Sequence, residues 1–186
     1  MNKDSIKELI RGDYNYNKYW TRRHALFNPK VSKLKKIIYN RYINKTNMKF
    51  GASITHNWSD HDNFLAPPIL GHGIMGIIMS SDAIIGHNVF ISQQVTIGAS
   101  NGGSPTIGDN VYIGPGAKIF GKIRIGNNVR IGANCVVFCD VPDNSTIVLE
   151  KPRIILKDSN YQYNIRDGAE WITRDWTDNG KIVESK

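Results

Sequence analysis

The chain has 186 residues, of which 40% are hydrophobic and 22% charged, a length that suits one domain with an extension. No apolar run is long enough to span a membrane, and the first twenty residues lack the apolar segment of a secretory signal. We therefore expect a cytoplasmic protein in which Cys135 and Cys139 are reduced thiols. The net charge of +8 comes from the N-terminus, since residues 1–50 carry 13 Lys and Arg against three Asp and Glu.

Residues 1–50 are predicted to form a basic, helical N-terminal extension. Ser5 and Glu8 have the spacing of a capping box that opens a short helix. Asn28 followed by Pro29 is typical of an N-cap and a first helical position, and apolar residues then follow helical spacing as far as Ile43. The positive charge predicts either an ordinary solvated surface or attraction to an anionic membrane surface, and nucleic acid is disfavoured as a partner.

A six-residue repeat dominates residues 85–148. Each hexad opens with an aliphatic residue and has a small or aliphatic residue in its fifth place. The opening residues are Ile85, Ile91, Ile97, Ile107, Ile113, Ile119, Ile125, Ile131 and Val137. A period of six is typical of a β-helix, in which equivalent positions stack from coil to coil. We predict a β-helix domain over residues 51–155, with an imperfect first coil at about 67–84, and a C-terminal tail over 156–186.

Glycine fills the second place of six hexads, and asparagine fills the fourth place of four. Both residue types tolerate a left-handed backbone, and we expect both at the coil corners for that reason. The repeat is interrupted once, by a glycine-rich insertion between Ile97 and Ile107. A loop on a rigid scaffold often carries function, so we expect this insertion to belong to the functional site.

The stretch from Gly71 to Pro142 resembles the hexapeptide-repeat acyltransferases. Within them it is most like the serine acetyltransferase-like branch, which includes O-acetyltransferases of bacterial surface polysaccharides. The resemblance covers roughly residues 65–155 and is carried by QVTIG, by the insertion followed by IGDNVYIGPGAKIFG, and by IGANCVV. It implies a left-handed parallel β-helix in a homotrimer. It also implies an acyl-CoA groove between neighbouring coils and acetyl transfer to a hydroxyl.

The resemblance identifies His72, in GHGIMGII, as the catalytic base. An alcohol is a poor nucleophile at neutral pH, and a histidine with a pKa near 6.5 suits the removal of its proton. His72 lies four residues before Gly76, whereas serine acetyltransferases have a spacing of three. The aspartate that orients this histidine in serine acetyltransferases corresponds to Asn57, so Asp60, Asp62 or a backbone carbonyl are the alternatives.

For the donor, acetyl-CoA, the resemblance implies contacts at Ala117 and Ala133, and phosphate contacts at Lys151 and Arg153. Serine acetyltransferases carry a further histidine at the end of the glycine-rich loop, where this sequence reads GSPT. Because no cation stands there to hold the carboxylate of serine, we expect a carbohydrate acceptor in surface-polysaccharide biosynthesis.

Other interpretations stay open. Serine or another small molecule is the alternative acceptor. His56, His61 and His72 are an alternative metal site, as in the γ-class carbonic anhydrases built on the same coil, although the leading interpretation expects no metal. A non-catalytic scaffold is a further alternative. His87 is expected to be a surface residue, and His24 a structural or an exposed one.

Overall fold

The computed structural model describes residues 14–55, 62–100, 102–157, 163–167, 170–176 and 182–184. Two units divide the chain, Met1–Leu149 and Glu150–Lys186. Within the described ranges, no helix combines the length and the apolar character that crossing a bilayer requires. The short helix predicted at Ser5 lies outside the described residues.

Two helices, α1 (Tyr16–Phe27) and α2 (Lys33–Lys49), form the described part of the N-terminal extension. The prediction that Asn28 opens a helix is wrong, because Asn28 instead ends α1 and Ser32 caps α2. Pro29 disfavours helical backbone at the preceding residue. Asn28 is accordingly extended, and its side chain accepts the Lys30 N–H at 2.9 Å.

Short parallel strands form three sheets that enclose a triangular coil. The first sheet contains β1 (Ser53–Ile54), β3 (Ile78–Met79), β6 (Thr96–Gly98), β9 (Lys118–Phe120) and β12 (Val136–Val137). The second contains β4 (Ile84–Ile85), β7 (Thr106–Ile107) and β10 (Arg124–Ile125). The third contains β2 (Ile69–Leu70), β5 (Phe90–Ile91), β8 (Tyr112–Ile113), β11 (Arg130–Ile131) and β13 (Thr146–Ile147). The predicted left-handed parallel β-helix, of about four turns, is confirmed.

The predicted inward positions are confirmed as the core. Ile85, Ile107 and Ile125 stack in register along the second sheet, and each is buried. All nine residues that open the hexads are at most 3% exposed. Burying each isoleucine side chain contributes about 1.5–3 kcal/mol, so the repeat itself supplies much of the stability of the coil.

The corners separate the roles of asparagine and glycine. Asn110 and Asn128 have φ of 55° and 58°, as expected for a left-handed corner, and their amides are joined by a 2.7 Å hydrogen bond. The second-place glycines do not have positive φ, so the expected reason for them is wrong. A Cβ on Gly108 would instead lie 2.9 Å from the backbone of Gly126, which means that glycine is required by the close approach of the next coil.

The two helices pack on the first coil through a buried aromatic and cationic cluster. Trp20 meets Phe64 with ring centroids 4.7 Å apart, and the Tyr19 hydroxyl donates to Asn47 Oδ1 at 2.8 Å. Arg23 is fully buried and donates to Asn63 Oδ1 at 2.7 Å. Burial raises the pKa of Tyr19 to about 12 and lowers the pKa of Arg23. The cluster therefore anchors the helices to the coil.

The second unit contains a three-stranded antiparallel sheet. Its strands are β14 (Tyr163–Asp167), β15 (Glu170–Trp176) and β16 (Ile182–Glu184), paired in that order. The sequence left the structure of this tail undecided.

Candidate functional site

His72 lies on an enlarged turn at a corner of the coil. Seven residues, 71–77, connect β2 to β3, whereas four residues, 92–95, connect β5 to β6 at the same corner one coil further on. The additional residues leave the His72 side chain exposed. Among the described residues, none forms a hydrogen bond with its ring. The imidazole is therefore accessible to a substrate from outside the coil.

Two aromatic rings hold the turn on either side of His72. Gly71 packs so closely on Phe90 that an added Cβ would lie 3.0 Å from the Cζ of that ring. Gly73 has φ of +64° and packs on Tyr14, whose Cδ1 would lie 3.1 Å from an added Cβ. Sequence reasoning missed both rings, since Tyr14 and Phe90 are distant in the chain and carry no motif.

The His72 turn stands above the glycine-rich corners predicted to meet acetyl-CoA. The Gln94 N–H donates to the carbonyl of Met75 at 2.9 Å, which ties the turn to the next coil. Gly116 and Asn134 continue the column with bonds of 3.0 and 2.8 Å to the coil above. We call this column, from Gly71 to Asn134, the His72 corner. It brings His72, Gly114–Ala117 and Ala133 together on one edge of the molecule.

Ala117 and Ala133 differ in whether their backbone groups are accessible to acetyl-CoA. Ala117 is buried, its N–H bonds to Gly114 and its carbonyl accepts from Thr96, so all its polar groups are used inside the coil. Ala133 is exposed, and its amide nitrogen would lie 2.7 Å from a Cβ on Gly114. The absence of that Cβ leaves the backbone of Ala133 close to the corner surface. The assignment of both to acetyl-CoA stays a prediction.

Lys118 is a further residue of this corner that sequence reasoning missed. Its Nζ donates to the carbonyl of Gln94 in the preceding coil at 2.9 Å. Lys151 and Arg153 are exposed and belong to the second unit, so their role toward CoA stays a prediction.

The glycine-rich loop is at a different corner, between β6 and β7. Ser100 and Gly103 close it with paired backbone hydrogen bonds of 3.0 and 3.3 Å, and the Ser104 hydroxyl lies 2.8 Å from that of Ser80. A Cβ on Gly103 would lie 3.1 Å from the Cβ and Cγ of Lys122. The aliphatic stem of Lys122, from the next coil, therefore packs beside the loop, and residues 98–106 themselves contain no Lys or Arg.

The other histidines and acids are engaged elsewhere or lie outside the described residues. Asp62 lies 2.5 Å from His24 Nδ1 and 3.8 Å from Arg23, so it is not the partner of His72. His87 is exposed and meets Asp109 at 3.2 Å, as expected for a surface residue. His56, Asn57, Asp60 and His61 are outside the described part, and within that part no group of three metal-ligating side chains forms.

Comparison with known proteins places this geometry in context. Residues 104–139 match the family described as bacterial transferase hexapeptide (six repeats), a range that includes Gly114 to Ala133 but not His72. Serine acetyltransferase of Bacillus subtilis (strain 168) is 33% identical over 146 residues, which cover 74% of this chain and 62% of the relative.

Solved structures of serine acetyltransferases are also similar to this chain. Neisseria gonorrhoeae serine acetyltransferase, solved in complex with serine, is 35% identical, with a TM-score of 0.50. The match covers 63% of this chain and 48% of the Neisseria chain. Serine acetyltransferase isoform 3 of Entamoeba histolytica, in complex with cysteine, is 26% identical, with a TM-score of 0.52. The match covers 77% of this chain and 60% of the Entamoeba chain. The chain thus spans less than two thirds of the length of these relatives.

Proposed function

We propose that this chain, which is a serine acetyltransferase-like hexapeptide-repeat protein, is an acyl-CoA-dependent O-acetyltransferase with His72 as its general base. The observation that carries the proposal is the His72 corner, where an exposed imidazole stands at one end of a column of turns and the glycine-rich turns lie two and three coils beyond it. Small residues there permit the thin pantetheine arm of acetyl-CoA to approach the backbone, with its thioester toward His72.

The chemistry is direct transfer in a complex of both substrates. His72 accepts the proton of the acceptor hydroxyl as that oxygen attacks the thioester carbonyl. The tetrahedral intermediate then collapses, the carbon–sulfur bond breaks, and the protonated imidazole returns a proton to the leaving thiolate of CoA. The scheme uses no cysteine nucleophile: Cys135 is buried in the coil, and the exposed Cys139 has no role in the transfer.

Serine is the acceptor that the comparisons favour, in place of the carbohydrate expected from the sequence. The expectation rested on a loop without a cation, but Lys122 lies against Gly103 from the next coil. We infer that its ammonium group pairs with the carboxylate of a small hydroxy acid. The identity of the curated relatives supports the same acceptor.

A carbohydrate stays as the second candidate, because the segment Gly103–Thr106 itself lacks the histidine of serine acetyltransferases. Thiol release from acetyl-CoA, measured with L-serine and with a panel of sugars, separates the two. We expect turnover with serine and a tenfold or greater rise in its KM in Lys122→Gln, since a charge-assisted bond contributes about 1.5–3 kcal/mol. Turnover with a sugar and none with serine would select the second candidate.

We also propose that the active protein is a homotrimer. His72 and the glycine-rich loop are at different corners of one coil, so a site that uses both forms between two copies. Mixing inactive His72→Ala protein with a loop-deleted variant should restore activity in mixed trimers after subunit exchange. A monomer in light scattering that retains full activity would contradict this proposal. A cytoplasmic location stays a prediction from the sequence.

A further inference from the structure

One face of α2 is both apolar and basic and has no partner within the described part of the first unit. Ile43 and Asn47 are buried on the side that meets α1 and β1. Because successive residues advance by 100°, the opposite side carries a different set. This set, the α2 outer face, consists of Leu34, Ile37, Ile38, Arg41, Lys45 and Met48.

The apolar members of this face are unusually exposed for their size. Leu34, Ile37, Ile38 and Met48 have 69%, 61%, 53% and 83% of their surface open to solvent. Single exposed apolar side chains are ordinary, but four on one side of a helix mark an interaction surface. A shallow groove of about 540 Å³ runs along the face between Ile37 and Met48.

The positive charge around the α2 outer face indicates the charge of its partner. Between Asp13 and Asp60 the chain has ten Lys and Arg and no Asp or Glu, and six of these cations are on α2. Arg41 and Lys45 stand in the middle of the outer face itself, among the apolar side chains. The partner is therefore anionic and also accepts apolar side chains.

Three kinds of partner differ in how they meet these two demands. A second copy of α2 would bring like charges together, which disfavours pairing. Nucleic acid would satisfy the cations through its phosphates but leave the apolar side chains in water. An anionic bilayer satisfies both, since its phosphates attract cations and its acyl boundary accepts apolar side chains.

We propose that the α2 outer face binds the surface of an anionic lipid bilayer. Leu34, Ile37, Ile38 and Met48 enter the boundary between headgroups and acyl chains, and Arg41 and Lys45 pair with lipid phosphates. The attachment is peripheral and reversible, because the helix lies in the plane of the interface. The inference does not depend on the acetyltransferase activity.

The test is co-sedimentation of the full chain with vesicles. At low ionic strength we expect binding to vesicles of phosphatidylglycerol and phosphatidylcholine and not to phosphatidylcholine alone. The Arg41→Gln, Lys45→Gln double variant should bind about 25-fold more weakly, at roughly fivefold for each cation near an anionic surface. Ile37→Ser with Met48→Ser should weaken binding and make the remainder fully sensitive to 1 M salt, where the Debye length is about 3 Å.

The matched control is Arg124→Gln with Arg130→Gln, which also removes two positive charges, but from exposed positions on the coil. Circular dichroism of each variant reports that the helices stay folded. An equal loss of vesicle binding in the control would overturn the proposal, because the attraction would then be one of net charge alone. Three other results would also overturn it: absence of binding to the anionic vesicles, RNA binding by the face without vesicle binding, or self-association abolished by the serine variant.

Discussion

Substitution of Gly108 by alanine tests why glycine occupies the second place of the repeat. The φ angle of Gly108 is not positive, so alanine is compatible with its backbone. An added Cβ, however, would lie 2.7 Å from Asn127 Oδ1 and 2.9 Å from the carbonyl carbon and oxygen of Gly126. The backbone of the next coil cannot move away without breaking the ladder that holds it.

The magnitude follows from two opposing effects. Overpacking of this kind costs about 1–3 kcal/mol. The lower chain entropy of unfolded alanine offsets about 0.4–1 kcal/mol of this cost. Taking the middle of each range, we expect Gly108→Ala to lower the free energy of unfolding by about 1.3 kcal/mol, which corresponds to roughly 3–5 °C in Tm for a chain of this size.

Gly98→Ala is the matched control in the same repeat. Its nearest neighbour, Phe120 Cβ, would lie 3.8 Å from the added carbon, an ordinary contact. We expect this variant to equal the wild type or to exceed it slightly. Urea denaturation followed by circular dichroism measures both. A Gly108→Ala protein as stable as Gly98→Ala would refute the argument that the close approach of the next coil selects glycine at Gly108.

Further predictions concern charges on and beneath the surface. Replacing Arg23 by alanine should lower the free energy of unfolding by about 3–5 kcal/mol in chemical denaturation, because it empties a buried cationic site. Arg23→Met should cost less, since it keeps the packing on Trp20 and Phe64; equal losses would contradict this account. The backbone N–H of His87 donates to Asp109 and holds the pKa of that carboxyl below its ordinary value of 3.8. The ionised Asp109 carboxylate therefore stabilises the fold fully above pH 3.8, and this stabilisation is lost as the pH falls through the lower pKa of the folded state. An NMR titration of Asp109 with a midpoint at or above 3.8 would contradict this.

The core and the corner asparagines could be predicted from the sequence because the period of six reports stacking directly. Each position such as Ile91 repeats its own environment in the next coil, at Ile113 and Ile131. The role of the glycines could not be predicted in the same way. Nothing in the local sequence of Gly108 reveals how closely the backbone of Gly126 approaches it.

The helical extension shows a second feature that could not be predicted from the sequence, namely which side of a helix is buried. Helical spacing grouped Leu34, Ile37 and Ile43 as apolar residues of one helix, but only Ile43 is buried. A helical period does not specify which side of a helix the rest of the fold covers. The supports of His72 were hidden for a related reason, since Tyr14 and Phe90 reach the turn only after the coil and the helices have packed.

The central claim is that His72 removes the proton from the acceptor hydroxyl. The most direct measurement is the rate of thiol release from acetyl-CoA by wild-type protein, by His72→Ala and by His87→Ala, a control that changes an exposed histidine of the neighbouring corner. We expect His72→Ala to lower kcat by about 10²–10⁴ and His87→Ala to leave it unchanged. Equal activity of His72→Ala and the wild type, with both proteins folded, would contradict the account.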